Sequence, residues 1–127
     1  MKRFLLILLS ATIVSAVWAQ DTPAPQLEIT AKLGTGVEER ELVAESTTFV
    51  VGDTAYLWMR LAGGPSDPVT VTWSIGEHTY DVELRVGAAS WRTWSSKNLW
   101  KAGDWAVEVR DAAGTSLFRT DFSVTTP

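Results

Sequence analysis

From Leu27 onward, apolar and polar residues alternate along the chain. Leu27, Ile29, Ala31 and Leu33 alternate with Glu28, Thr30 and Lys32. Ala55, Leu57, Met59 and Leu61 alternate with Tyr56, Trp58 and Arg60. The same pattern returns in Val69-Val71-Trp73-Ile75, in Tyr80-Val82-Leu84-Val86 and in Trp105-Val107-Val109, and Phe118, Phe122 and Val124 share a face with Thr120. A period of two places successive side chains on opposite faces, so each run predicts a strand with one dry and one wet face.

Turn chemistry separates these runs: Gly34-Thr35-Gly36, Gly52-Asp53, the stretch from Gly63 to Pro68, Gly76-Glu77, Gly87, Gly103-Asp104 and Asp111 to Gly114. Seven to eight short strands at roughly ten-residue spacing predict an antiparallel sandwich or barrel. No ten-residue segment carries a helical period. Val37 to Ser46 tolerates helix best, but its valines do not align on one face, and it is read as an irregular edge strand. Its Glu38, Glu39, Glu41 and Glu45 form a charged edge of the kind that blocks strand-to-strand aggregation.

The last hairpin is the most specific local feature. Gly103-Asp104-Trp105 opens an alternating strand, Asp111 to Gly114 turns it, and Phe122-Ser123-Val124 closes it. This is the pattern of the final two strands of an immunoglobulin-like sandwich. Asp111 is expected to accept hydrogen bonds from turn amides, and Gly114 to take a left-handed position. The predicted fold is thus an all-β, antiparallel immunoglobulin-like β-sandwich over residues 27–127.

The head of the chain reads differently. Met1-Lys2-Arg3 is a positive start, Phe4 to Trp18 is almost wholly apolar, and Val17-Trp18-Ala19 suits a cleavage site. Residues 1–19 therefore read as a secretory signal peptide and residues 20–26 as a Pro-punctuated flexible leader. The apolar run of about 15 residues is shorter than the roughly 20 of a spanning helix, which favours cleavage over an uncleaved anchor. The expected location is exported, periplasmic or extracellular, with no membrane span after cleavage.

Composition narrows the chemistry. The 127 residues carry 11 basic and 15 acidic side chains, a formal charge of −4. Cleavage after Ala19 removes Lys2 and Arg3 and no acid, so the charge moves to −6. An acidic domain without a basic run predicts no nucleic-acid partner. The absence of cysteine excludes disulfides, thiol nucleophiles and Cys-ligated metals. His78 is the only histidine, no Gly-x-Ser-x-Gly elbow accompanies it, and no catalytic residue is assigned. Asp104, Asp111 and Asp121 invite a calcium reading, but turn formation explains them as well. No metal and no cofactor are expected.

The tryptophans carry the remaining signal. Trp73 and Trp105 fall in register with valines and isoleucine and are predicted core. Trp58 lies on the parity opposite Leu57 and Met59, Trp94 lies opposite Trp91, and Trp100 falls in a loop between Lys97 and Lys101. Arg60, Arg85, Arg92 and Arg110 occupy solvent-side positions. Arg85 and Arg92 are placed to sandwich Trp94 or Trp58, in a ladder that stiffens an open sheet face or in a surface that binds a ligand. The candidate binding residues are Trp58, Arg60, Arg92, Trp94 and Trp100.

These strings resemble a bacterial family, domain of unknown function 2914. The matching pieces are Gly36 to Glu41, Phe49, Tyr56 to Leu61, Trp73, Trp91-Arg92-Thr93-Trp94-Ser95-Ser96-Lys97, Gly103 to Val109 and Phe122 to Val124. The Trp91–Lys97 string is the most discriminating. Two positions depart: Leu42 stands where the family often has Pro, and Val71 where it often has His. The resemblance implies an exported or membrane-associated module and assigns no reaction. The expected role is a non-enzymatic interaction module that binds a protein or envelope component through the Trp/Arg face. The alternative is a carbohydrate-binding module that stacks envelope glycan on Trp94 and Trp100. An enzyme built on His78 ranks last, and the oligomeric state is left open.

Overall fold

The computed structural model describes residues 27–64 and 67–127. The signal-peptide and leader expectations, residues 1–19 and 20–26, lie outside the described residues. Nine strands are described: β1 (Glu28–Glu38), β2 (Glu41–Glu45), β3 (Thr48–Val50), β4 (Thr54–Ala62), β5 (Val69–Ile75), β6 (His78–Leu84), β7 (Ser90–Asn98), β8 (Gly103–Arg110) and β9 (Ser116–Thr125). They form a four-stranded sheet, β2-β1-β4-β7, and a five-stranded sheet, β3-β9-β8-β5-β6. No helix among the described residues is long and apolar enough to cross a membrane.

The alternation read from the sequence builds the core between the two sheets. Ala55, Leu57, Met59 and Leu61 of β4 are fully buried and meet Val69, Val71 and Trp73 of β5 and Val107 and Val109 of β8 in one cluster. Trp105 and Phe122 are cross-strand partners and stack at 6.2 Å, while Trp73 and Phe49 both meet Phe122 edge-on. A buried hydrogen bond joins the sheets: the Trp73 indole N–H donates to Ser95 Oγ at 3.0 Å. Both Trp73 and Trp105 are core, as their parity predicts.

The final hairpin also forms as expected. Asp111 Oδ1 accepts from the amides of Ala113 and Thr115 at 3.0 and 2.9 Å, and Gly114 is left-handed at φ 90°. The register shifts between Val109 and Arg110, where the loop bulges.

Four features differ from the sequence reading. There are nine described strands, because Val37 to Ser46 divides into the end of β1, a tight turn and edge strand β2, and because β3 forms a short strand of its own. That short strand runs parallel to β9, the one parallel pairing among the described residues. Gly34-Thr35-Gly36 is no turn: β1 runs straight through it. Gly34 is there for close approach, since a Cβ at this position would lie 2.8 Å from both Leu42 Cδ1 and the Val43 carbonyl of β2. Inward positions of the edge strand β6 are also less covered than alternation predicts, and Val82 is 37 % exposed.

Candidate functional site

The outer face of the four-stranded sheet collects four of the five candidate residues. Antiparallel pairing of β4 with β7 sets Trp58 directly opposite Trp94, and Arg60 directly opposite Arg92. On the other side of β4, Lys32 and Thr30 of β1 extend the same two rows. The parity that places Leu57, Met59 and Leu61 in the core therefore places a Trp–Trp pair and an Arg–Arg pair side by side outside it.

The turn between β1 and β2 completes this face. Glu39 and Arg40 occupy its two central positions with φ of 50° and 66°. Both are left-handed, the conformation that Asn-Gly ordinarily supplies in a two-residue hairpin turn. A non-glycine residue in this region costs about 1–2 kcal/mol, so surrounding contacts must hold the turn. The Trp58 indole N–H donates to the Arg40 carbonyl at 2.8 Å. The Arg40 guanidinium reaches the Arg92 carbonyl at 3.5 Å and lies 5.7 Å from the centre of the Trp91 ring. Arg92 in turn forms an ion pair with Glu41. The hairpin tip thus bends over β4 to touch β7.

Two expectations are corrected here. Trp58 lies on the outer face as predicted but is buried, at 8 % exposure, because the hairpin tip covers it. Among the described residues, the arginine that meets a tryptophan ring is Arg40 over Trp91, in place of Arg85 or Arg92 over Trp94 or Trp58. Trp94 keeps 38 % exposure and is the open aromatic of the face. Beside it the hairpin leaves a cleft of about 500 Å³ walled by Arg40, Glu41, Trp58, Arg60, Trp91 and Arg92.

Trp100 does not join this group. It sits against the edge of the five-stranded sheet, where its indole N–H donates to the Tyr80 hydroxyl at 3.1 Å and its ring meets Trp105 and His78 edge-on. Lys97 caps the Tyr80 ring at 3.5 Å, and Lys101 approaches Trp100. The His78 ring is exposed and packs on an indole.

The outer face of the five-stranded sheet is different in kind. Ser, Thr and Asp predominate along it, and each of two arginines has its own carboxylate: Arg110 with Glu108 at 2.6 Å and Arg119 with Asp121 at 3.2 Å. A cavity of about 650 Å³ runs along β8 and β9 past Asp104, Asp121 and Arg119. Asp111 is engaged in its own turn. Among the described residues, no group of three His, Asp or Glu is gathered to hold a metal.

Sequence reasoning missed Arg40, Glu41 and Trp91 as parts of the cleft. Nothing in Glu38-Glu39-Arg40-Glu41 carries a turn signature, so its fold across the sheet was not legible. The available signal was that Gly36 to Glu41 and Trp91-Arg92 both stand among the pieces that resemble one family, and these two strings meet in space.

Residues 66–124 match the model of a family described as "Protein of unknown function (DUF2914)". The family resembled by the sequence and the family matched are the same one. The matched stretch takes in β5 to β8 and nearly all of β9, and so includes Trp91, Arg92 and Trp94, while the pieces from Gly36 to Leu61 lie before it. No curated protein matches the chain.

Proposed function

We propose that the protein is an exported, non-catalytic interaction module that binds a protein or a component of the cell envelope through the outer face of β4 and β7. One observation carries this reading. Trp94 stands 38 % exposed beside the Arg60–Arg92 pair, on a face whose tryptophan and arginine side chains lie outside the core. Exposed tryptophan and arginine are the residue types that anchor protein interfaces. Export is supported by the positive start and apolar run of residues 1–19 and locates the module in the periplasm or outside the cell. The non-catalytic reading is supported by the sequence, in which His78 is the only histidine and no Gly-x-Ser-x-Gly elbow accompanies it.

The test is photocrosslinking in cells. Replacing Trp94 with p-benzoylphenylalanine should yield a discrete adduct, and Arg60→Glu should abolish it. No adduct above the level given by the same probe at Thr79, on the opposite sheet, would refute the reading. A carbohydrate-binding module is the alternative, favoured by the exposure of Trp94 and Trp100, at 38 and 47 %. It predicts quenching of tryptophan fluorescence by envelope glycans.

A further inference from the structure

We infer that the cleft between the β1–β2 hairpin tip and β7 is a binding site for a multiply charged oxyanion group, phosphoryl, sulfuryl or paired carboxylates, held by Arg40, Arg60 and Arg92. The inference rests on the proposed interaction face and names the chemistry that its cleft recognises.

The argument begins with charge. Three guanidiniums wall a cleft of about 500 Å³, and one carboxylate, Glu41, stands among them. Glu41 is already paired with Arg92. Arg60 makes no ion pair among the described residues and directly faces Arg92 across the β4–β7 pair. Like charges directly opposite on a sheet are unfavourable. On the other sheet the same protein gives Arg110 and Arg119 one carboxylate each. The surplus of cations is therefore local, in a chain with more acidic than basic residues.

Backbone geometry adds to this. Arg40 is brought to the cleft by a turn with two left-handed non-glycine residues, held by the Trp58 indole. That turn adds a third cation to a site that holds a single carboxylate, Glu41. The turn, fastened by the Trp58 indole, holds Arg40 at the cleft before any ligand arrives. An oxyanion resolves the repulsion: guanidinium forks match carboxylate, phosphate and sulfate oxygens with paired hydrogen bonds. The Trp58 and Trp91 walls lower the local dielectric and strengthen each contact. The volume suits such a group together with part of the molecule that bears it.

The test is calorimetric titration of the protein with phosphate, sulfate and succinate, at an ionic strength held constant with chloride, alongside arginine Nε–Hε spectra. At least one anion should bind saturably and shift the Arg40, Arg60 and Arg92 signals. Response to phosphate or sulfate assigns a tetrahedral group, and response to succinate alone assigns carboxylates. Arg60→Gln should weaken binding about tenfold or more. Arg40→Gly should weaken it similarly while Tm is held or raised, because glycine accepts the left-handed turn. No saturable response to any of the three anions up to tens of millimolar, or equal affinity in both variants and the wild type, would overturn the inference. If the anions fail while the crosslink from position 94 still requires Arg60, the oxyanion site is refuted and the interaction face stands. If both fail, both are refuted.

Discussion

Trp58 and Trp94 face each other directly across the β4–β7 pair, yet one is 8 % exposed and the other 38 %. The difference comes from the Glu38–Glu41 hairpin tip, whose Arg40 carbonyl accepts the Trp58 indole N–H. Two tryptophans on one face thus differ: Trp58 fastens the hairpin, and Trp94 stays open to solvent.

Trp58→Phe keeps most of the apolar area and removes the N–H. It should cost about 1 kcal/mol in urea unfolding, the net worth of one hydrogen bond. Amide hydrogen exchange over Glu38–Glu41 should quicken in the same variant. Trp94→Phe should change neither quantity.

The bond between Trp73 and Ser95 is a buried polar link between the sheets. Trp73→Phe leaves the Ser95 hydroxyl without its partner and opens a small cavity, and Ser95→Ala leaves the indole N–H unpaired. Each should cost about 1–3 kcal/mol. The double variant should be less destabilised than the two losses added, by about 1 kcal/mol, in a double-mutant cycle by denaturant unfolding.

Glu39 is left-handed at φ 50° and lies in the exposed turn. Asparagine adopts this conformation more readily. Glu39→Asn should therefore raise Tm by a few degrees, corresponding to about 0.5 kcal/mol in a domain of this size. A fall in Tm would show that the Glu39 side chain itself supports the hairpin.

Gly34 meets the backbone of β2 at a distance that leaves no room for a methyl group. Because two of the atoms in the way are the carbonyl oxygens of Val43 and Ala44, they cannot move aside as a side-chain end would. Gly34→Ala should cost about 2 kcal/mol through strain and should detach β2, seen as lost amide protection from Glu41 to Glu45.

Much of this architecture was legible in the alternation. Val69-Val71-Trp73-Ile75 carries a strand whose inward side chains are all buried, and Arg60 and Arg92 fall outside by the same parity. The pairing that sets them opposite each other is a long-range fact, and a period of two does not contain it. Trp58 shows the limit most clearly. Its side of the strand follows from parity, but its burial depends on a hairpin tip whose Glu39-Arg40 turn lacks the Gly, Asn or Asp that would announce it. Conversely, Gly34-Thr35-Gly36 reads as a turn although Gly34 serves close packing, and spacing alone does not separate the two uses of glycine.

The central proposal is that the exposed part of the Trp/Arg face, Trp94 and Arg60, serves binding and is dispensable to the fold. It is tested most directly by measuring urea-unfolding stability and the photocrosslink from position 94 together, in Arg60→Glu. The account predicts stability within about 0.5 kcal/mol of the wild type, as for an exposed residue with no ion pair among the described residues, and loss of the crosslink. A crosslink of undiminished yield, or a stability loss of about 2 kcal/mol or more, would contradict it.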